Sequence, residues 1–155
     1  DTFSSRGLGD VYKRQINETL KLTGFVTIHV NGEVVKEIPN LVVATGKNFV
    51  ASRMVGASAN VMSHMAIGTD STAPSSANTA LGAEVARVAL SGSSVTDNVV
   101  NYSATFPAGT GTANLVEAGI FSASSGGTLL CKVNFSQVSK ASADIMTITW
   151  SVTAS

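Results

Sequence analysis

The sequence predicts an all-β fold, an antiparallel β-sandwich of the jelly-roll or a related type, carrying one short α-helix. Three observations predict it. Apolar and polar residues alternate with a period of two in several short runs, clearest at Leu20 to Val30, Val99 to Phe106 and Met146 to Val152. An Asn31-Gly32 pair joins the first run to the next, and this pair suits a type I′ turn because both central positions need a positive φ. Gly, Ser, Asn and Pro clusters separate the remaining runs at near-regular intervals, as in sandwiches and barrels.

Along the first strand, Leu22, Gly24, Val26, Ile28 and Val30 share one face, while Thr23, Phe25, Thr27 and His29 share the other. The return strand is read as Glu33 to Ile38, with Pro39 interrupting the ladder before Leu41-Val42-Val43; a proline there indicates an edge or a bulge. A helix is expected over Gly46 to Val55, capped by Thr45 and ended by Gly56, because Phe49, Val50, Arg53 and Met54 fall at helical spacing. Val61 to Ile67 reads as a short strand, Gly68 to Leu81 as a long polar loop that is functional or tied down by its own contacts, and Glu84 to Leu90 as another strand. Ser91 to Asp97 reads as a turn region. Val99 to Phe106 ends at Pro107, and a Gly-rich link, Ala108 to Asn114, leads to Leu115 to Ala123. Ser124 to Gly127 turns the chain into Thr128 to Phe135, where Leu129, Cys131, Val133 and Phe135 are expected on one face. The last strand, Asp144 to Thr153, turns Met146, Ile148, Trp150 and Val152 inward.

Residues 1–15 do not share this pattern. Ser5 to Gln15 reads as the in-frame translation of a sequencing-library adaptor whose last codons, GAT GTG TAT AAG AGA CAG, encode Asp10 to Gln15. Residues 1–15 are therefore expected to be a non-native, disordered segment, and residues 16–155 a single β-sandwich domain whose natural start lies at or upstream of Ile16. Of the ten Lys and Arg three lie in that segment, and of the ten Asp and Glu two, so the domain carries seven cations against eight anions, a formal charge of −1. Nucleic-acid binders neutralise phosphates with a basic surface, so this balance argues against one. Charged residues are 13% of the chain, well under the usual share of about 25%. Cys131 is the one cysteine, which rules out an intrachain disulfide and a cysteine-based zinc cluster. No run of about 18 apolar residues occurs, so membrane insertion is not expected.

No catalytic, cofactor-binding or metal-binding set emerges. Nucleophilic catalysis needs a histidine beside a Ser or Cys, but His29 sits on the polar strand face, and His64 reads as a satisfied structural residue without the spacing of a helical metal site. Asp70, Glu84, Asp97, Glu117 and Asp144 are the acids available for paired-carboxylate chemistry. Glu117 is the most informative because it interrupts an apolar strand. A carboxylate buried there needs donors, expected from backbone N–H groups of Gly109 to Thr112, from Arg53 or from Arg87, which gives a fold-locking role. The Gly109-Thr112 and Ser125-Gly127 stretches lack the lysine and helix of a phosphate loop. Glu117, Asn31, Gly32 and Trp150 are thus structural candidates. Trp150, Tyr102 and Phe106 lie on core faces, leaving Phe25 as the outward aromatic, set to pack under the helix or against a neighbouring subunit.

The blocks Asn40 to Val55, Met65 to Arg87, Tyr102 to Phe135 and Asp144 to Val152, in that order and spacing, resemble virion structural proteins of tailed phages, including tail-fibre and tail-collar-fibre-like appendage proteins of environmental phages. The resemblance implies a virion location and a non-enzymatic component of a tail fibre, baseplate or other appendage acting through subunit packing. It also implies other virion proteins as partners and a homo-oligomer, a trimer favoured, with no cofactor. The chain shows no long repetitive shaft or trimerising coiled coil. Alternatives are a host-glycan-binding sandwich, with a surface glycan as partner, a capsid decoration protein, and a hydrolase, which would need two convergent carboxylates.

Overall fold

The computed structural model describes residues 19–57 and 60–155. The adaptor-like segment lies outside the described residues. Among the described residues the strands are β1 (Leu22–Val30), β2 (Glu33–Val42), β3 (His64–Gly68), β4 (Glu84–Ala89), β5 (Gly92–Thr96), β6 (Val99–Phe106), β7 (Ala113–Phe121), β8 (Leu129–Lys140) and β9 (Met146–Ala154), with one helix, α1 (Ala44–Arg53), after β2.

All pair antiparallel in one nine-stranded sheet of order β4-β3-β7-β8-β2-β1-β9-β6-β5. The fold is mostly β, but the expected sandwich is replaced by a single curled sheet, a half-barrel. The connectivity requires the curl: β4 and β5 are opposite edges of the sheet, yet only Leu90 and Ser91 separate them. The edges therefore meet at one corner, where Leu90 N–H donates to the Ser63 carbonyl at 2.9 Å and Ser91 N–H to the Ser103 carbonyl at 2.8 Å. Alternation gives strands such as β1, β6 and β9 one dry face, and a curled sheet buries that face as well as two opposed sheets do. What makes the sheet continuous here is β2, which pairs with β1 from Glu33 to Asn40 and with β8 at Leu41 and Val42.

The concave face encloses the main core. Val26, Ile28, Phe106, Met146, Ile148 and Trp150 fill it, joined by Met65, Ile67, Ile120 and Cys131 from the other half of the sheet. Each large side chain buried this way contributes about 1.5–3 kcal/mol. A smaller cluster, Val43, Ala66, Leu81, Phe121 and Leu129, lies apart from it. Leu129 was expected beside Cys131. The register slips between Ile120 and Phe121, so Leu129 opposes Phe121 and joins the second cluster.

Other local expectations are corrected. β2 runs through Pro39, which opposes Phe25; the flank of β2 away from β1 is unpaired over Glu33 to Asn40, so the missing N–H costs no ladder bond there. The irregularity in this hairpin falls between Ile28 and His29, away from Pro39. Ser91 to Asp97 contains a true strand, β5, whose five residues are all exposed and so lack the apolar beat that marks a strand in sequence. The strand expected from Val61 begins at His64. α1 starts at Ala44, which puts Thr45 inside its first turn; the Thr45 hydroxyl donates to the Leu129 carbonyl at 2.8 Å instead of capping. Gly46 is the buried residue of α1, and a Cβ there would stand 2.0 Å from the Leu130 carbonyl oxygen, so glycine is what lets helix and β8 touch.

The β1–β2 turn has the backbone its sequence predicts, with φ 50° at Asn31 and 83° at Gly32. Asn31 also ties the turn to the β8–β9 connection: its Nδ2 donates to Asp144 at 2.9 Å, and its Oδ1 accepts from Ile145 N–H at 3.0 Å. Asn31→Ala is expected to lower unfolding free energy by about 1–2 kcal/mol through the positive φ and the lost hydrogen bonds, measurable by urea denaturation. The Asn31 amide, and then the Ala141 N–H, hold the Asp144 carboxyl below its usual value of 3.8. That contribution is present above the unfolded pKa and lost as pH falls through the lowered folded value, so the variant should show a shallower acid limb below about pH 4.

Candidate functional site

Glu117 is fully buried on β7, on the face opposite the main core, just past an irregularity in the pairing with β8 where Val116 alone stands against three residues of β8, Phe135, Ser136 and Gln137. The loop between β3 and β4 lies over it. Its Oε2 accepts from the backbone N–H groups of Asp70 and Ala83, each at 2.9 Å, and its Oε1 from that of Gly82 at 2.9 Å. Lys132, itself 2% exposed, brings its Nζ to 3.4 Å from Oε1. One carboxylate thus holds both ends of the loop and neutralises a buried ammonium.

These are not the donors expected from sequence. Arg87 is engaged elsewhere: it forms a two-pronged pair with Glu84, donates at 2.9 Å to the carbonyls of Ala123 and Gly126, and lies 3.8 Å over the Phe121 ring, which fastens β4 to the β7–β8 turn. Arg53 donates to the Ala57 carbonyl. At the Gly109–Thr112 turn, Gly109 N–H donates to the Ser142 carbonyl and Thr110 N–H to that of Pro107.

The loop is fixed further along its length. Asn134 Nδ2 donates to the Asp70 carbonyl at 3.0 Å, Thr69 N–H to that of Ala83 at 3.0 Å, and Ala44 N–H to that of Ser76 at 2.8 Å. The last bond satisfies one free N–H at the start of α1 from the loop side. Asp70 turns its own carboxylate onto the N–H and hydroxyl of Thr72, which hold its pKa below the usual value. Gly82 must be glycine because a Cβ would meet the Asp70 carboxylate at 1.6 Å.

The remaining candidates do not converge on this place. His64 bonds to Ser63 through Nδ1 at 2.7 Å, and His29 lies half-buried on β1. Burial pushes the Cys131 thiol up, well away from a thiolate, against a small opposing effect of Asn40. Burial likewise raises Tyr102 to about 12. Trp150 is 1% exposed. Among the described residues no three His, Cys, Asp or Glu gather as a metal set, and no helix is long and apolar enough to cross a membrane.

The Glu117–Lys132 pair is thus buried beneath a loop that Glu117 fastens at both ends. The family model described as phage tail-collar fibre protein, N-terminal, matches residues 35–152. The chain belongs to the phage tail-collar fibre N-terminal family. The match runs from within β2 to within β9 and so takes in the Glu117 site and every strand of the curled sheet except β1. Searches of curated proteins and of solved structures gave no match. As a tail-collar fibre domain the chain is a structural, non-enzymatic component of the phage tail appendage; its place is the virion and its partners are other virion proteins.

Sequence reasoning singled out Glu117 but missed Lys132. A signal existed, since Lys132 sits on the strand face opposite Cys131, as Glu117 sits opposite Ile120 and Ala118. Two charges facing the same way from neighbouring apolar strands point to a pair.

Proposed function

We propose that this tail-collar fibre domain acts by packing against copies of itself as well as against other virion proteins, as a homo-oligomer with three copies favoured. The observation that carries this is the state of β5. It is an edge strand whose five residues are all exposed, with no Lys, Pro or bulge, the devices that keep an edge from pairing with another chain. The other edge, β4, carries Glu84 and Arg87. Val95 and Val61, 70% and 59% exposed, add apolar surface at the same side. Glu117, Asn31, Gly32 and Trp150 are proposed as the residues that keep the scaffold rigid enough for such packing. Sedimentation velocity over a range of concentrations is expected to show an oligomer, with mass fitting three chains; a monomer at high concentration would overturn the reading. A glycan-binding role finds little support, since among the described residues Phe25 is the one aromatic ring that is both outward and half exposed while Trp150 and Phe106 are buried.

A further inference from the structure

The convex face of β1, β9, β6 and β5 is an ordered field of small polar side chains. Thr27, Thr149 and Ser103 form one rung across β1, β9 and β6, and Phe25, Ser151 and Asn101 form the next. Thr23, Thr153 and Val99 continue it on one side, and half-buried His29, Thr147 and Thr105 on the other. Ser94 and Thr96 extend it onto β5. Among the described residues of these four strands no Asp, Glu, Lys or Arg stands on this face. An outward sheet face ordinarily carries charge that keeps it in water, and here such charge begins only at the border, with Glu37 of β2 opposite Thr27.

We infer that this face is an interface between copies of the chain. The inference rests on the homo-oligomer proposed above and names the surface that forms it. Three features favour a second copy over any other occupant. A hydroxyl both donates and accepts, so a field of Thr and Ser is complementary to itself, whereas a charged field repels its own copy. With no charge to desolvate, burying the face costs little beyond re-pairing hydroxyls. Phe25, 46% exposed, stands among them as the kind of aromatic anchor on which interfaces depend. Four strands by four rungs give about 500 Å² in plan, the greater part of the roughly 800 Å² per partner of a stable interface.

The test uses the full chain and three variants. Thr149→Glu places a carboxylate on an exposed central position of the face, and Phe25→Ala removes the anchor, while Ser125→Glu adds the same charge to an exposed turn away from it. Sedimentation velocity is expected to show the dissociation constant raised about tenfold or more by Thr149→Glu and by Phe25→Ala. Ser125→Glu should leave it unchanged, and all three should keep the wild-type circular dichroism spectrum. An oligomer that Thr149→Glu and Phe25→Ala leave intact overturns this face but keeps the homo-oligomer. A wild-type monomer overturns both. A monomer whose Thr149 and Ser151 amide resonances shift only when a neutral oligosaccharide is added gives the face to a glycan and also overturns the inference.

Discussion

Replacing Glu117 by alanine is expected to lower the unfolding free energy by about 3–5 kcal/mol, the range for removing one partner of a buried ion pair. The loss has two sources. Lys132, 2% exposed, is left as a buried ammonium with its anion gone, and the N–H groups of Asp70, Gly82 and Ala83 lose their acceptor at the same time. Each orphaned donor that stays buried costs about 1–3 kcal/mol, though the loop relieves some of this by opening to water. The double variant Glu117→Leu with Lys132→Met separates the two. It removes the unpaired charge and restores apolar packing, so it should recover part of the stability, but the three N–H groups stay unpaired and recovery should be incomplete. Urea denaturation gives the free energies. Amide exchange gives the location, with Asp70, Gly82 and Ala83 expected to lose protection in both variants while β1 and β9 change far less in the double one. A single-variant loss under about 1 kcal/mol would show that the carboxylate is incidental to the fold.

The same site shows what a sequence can and cannot reveal. β1, β6 and β9 were legible because each is buried on one face, so the period of two is written directly into Val26 and Ile28, Ala104 and Phe106, and Met146 to Val152. Asn31-Gly32 was legible because a two-residue turn is a local demand on φ. The fate of Glu117 was half legible: an acid in an apolar strand must find donors, but those donors lie 47, 35 and 34 residues away along the chain. Which backbone reaches it depends on the β7–β8 irregularity beside Val116 and on the path of the loop, and neither leaves a periodic trace. β5 was missed for a different reason. A strand exposed on both faces has no alternation to read, and its Gly92-Ser93-Ser94 looks like a turn. The curl was beyond reach for a related reason, since β2 passes from β1 to β8 through only Leu41 and Val42, and so short a junction decides between one sheet and two without altering the hydrophobic pattern of any strand.

Trp150 to alanine should cost about 3–5 kcal/mol, the usual loss for deleting a large aromatic side chain from a core. The residue is 1% exposed at the middle of β9, with Val26 opposite on β1 and Tyr102 opposite on β6, so the void opens at the seam where three strands of the half-barrel lean on one side chain. Strands tied by backbone ladders on both sides of β9 cannot move in to fill it, which places the expected value toward the upper part of that range. Trp150→Phe is the sharper comparison. The indole N–H of Trp150 is buried with no hydrogen-bond partner, a condition that costs about 1–3 kcal/mol in the wild-type fold. Phenylalanine removes that donor along with some volume, so the two effects oppose and the variant should lose clearly less than alanine, about 1–2 kcal/mol. Thermal and urea unfolding of the two variants read the difference. Equal losses in both would mean that the indole nitrogen is satisfied in solution, and that the packing volume beyond a phenyl ring is what Trp150 contributes to the seam.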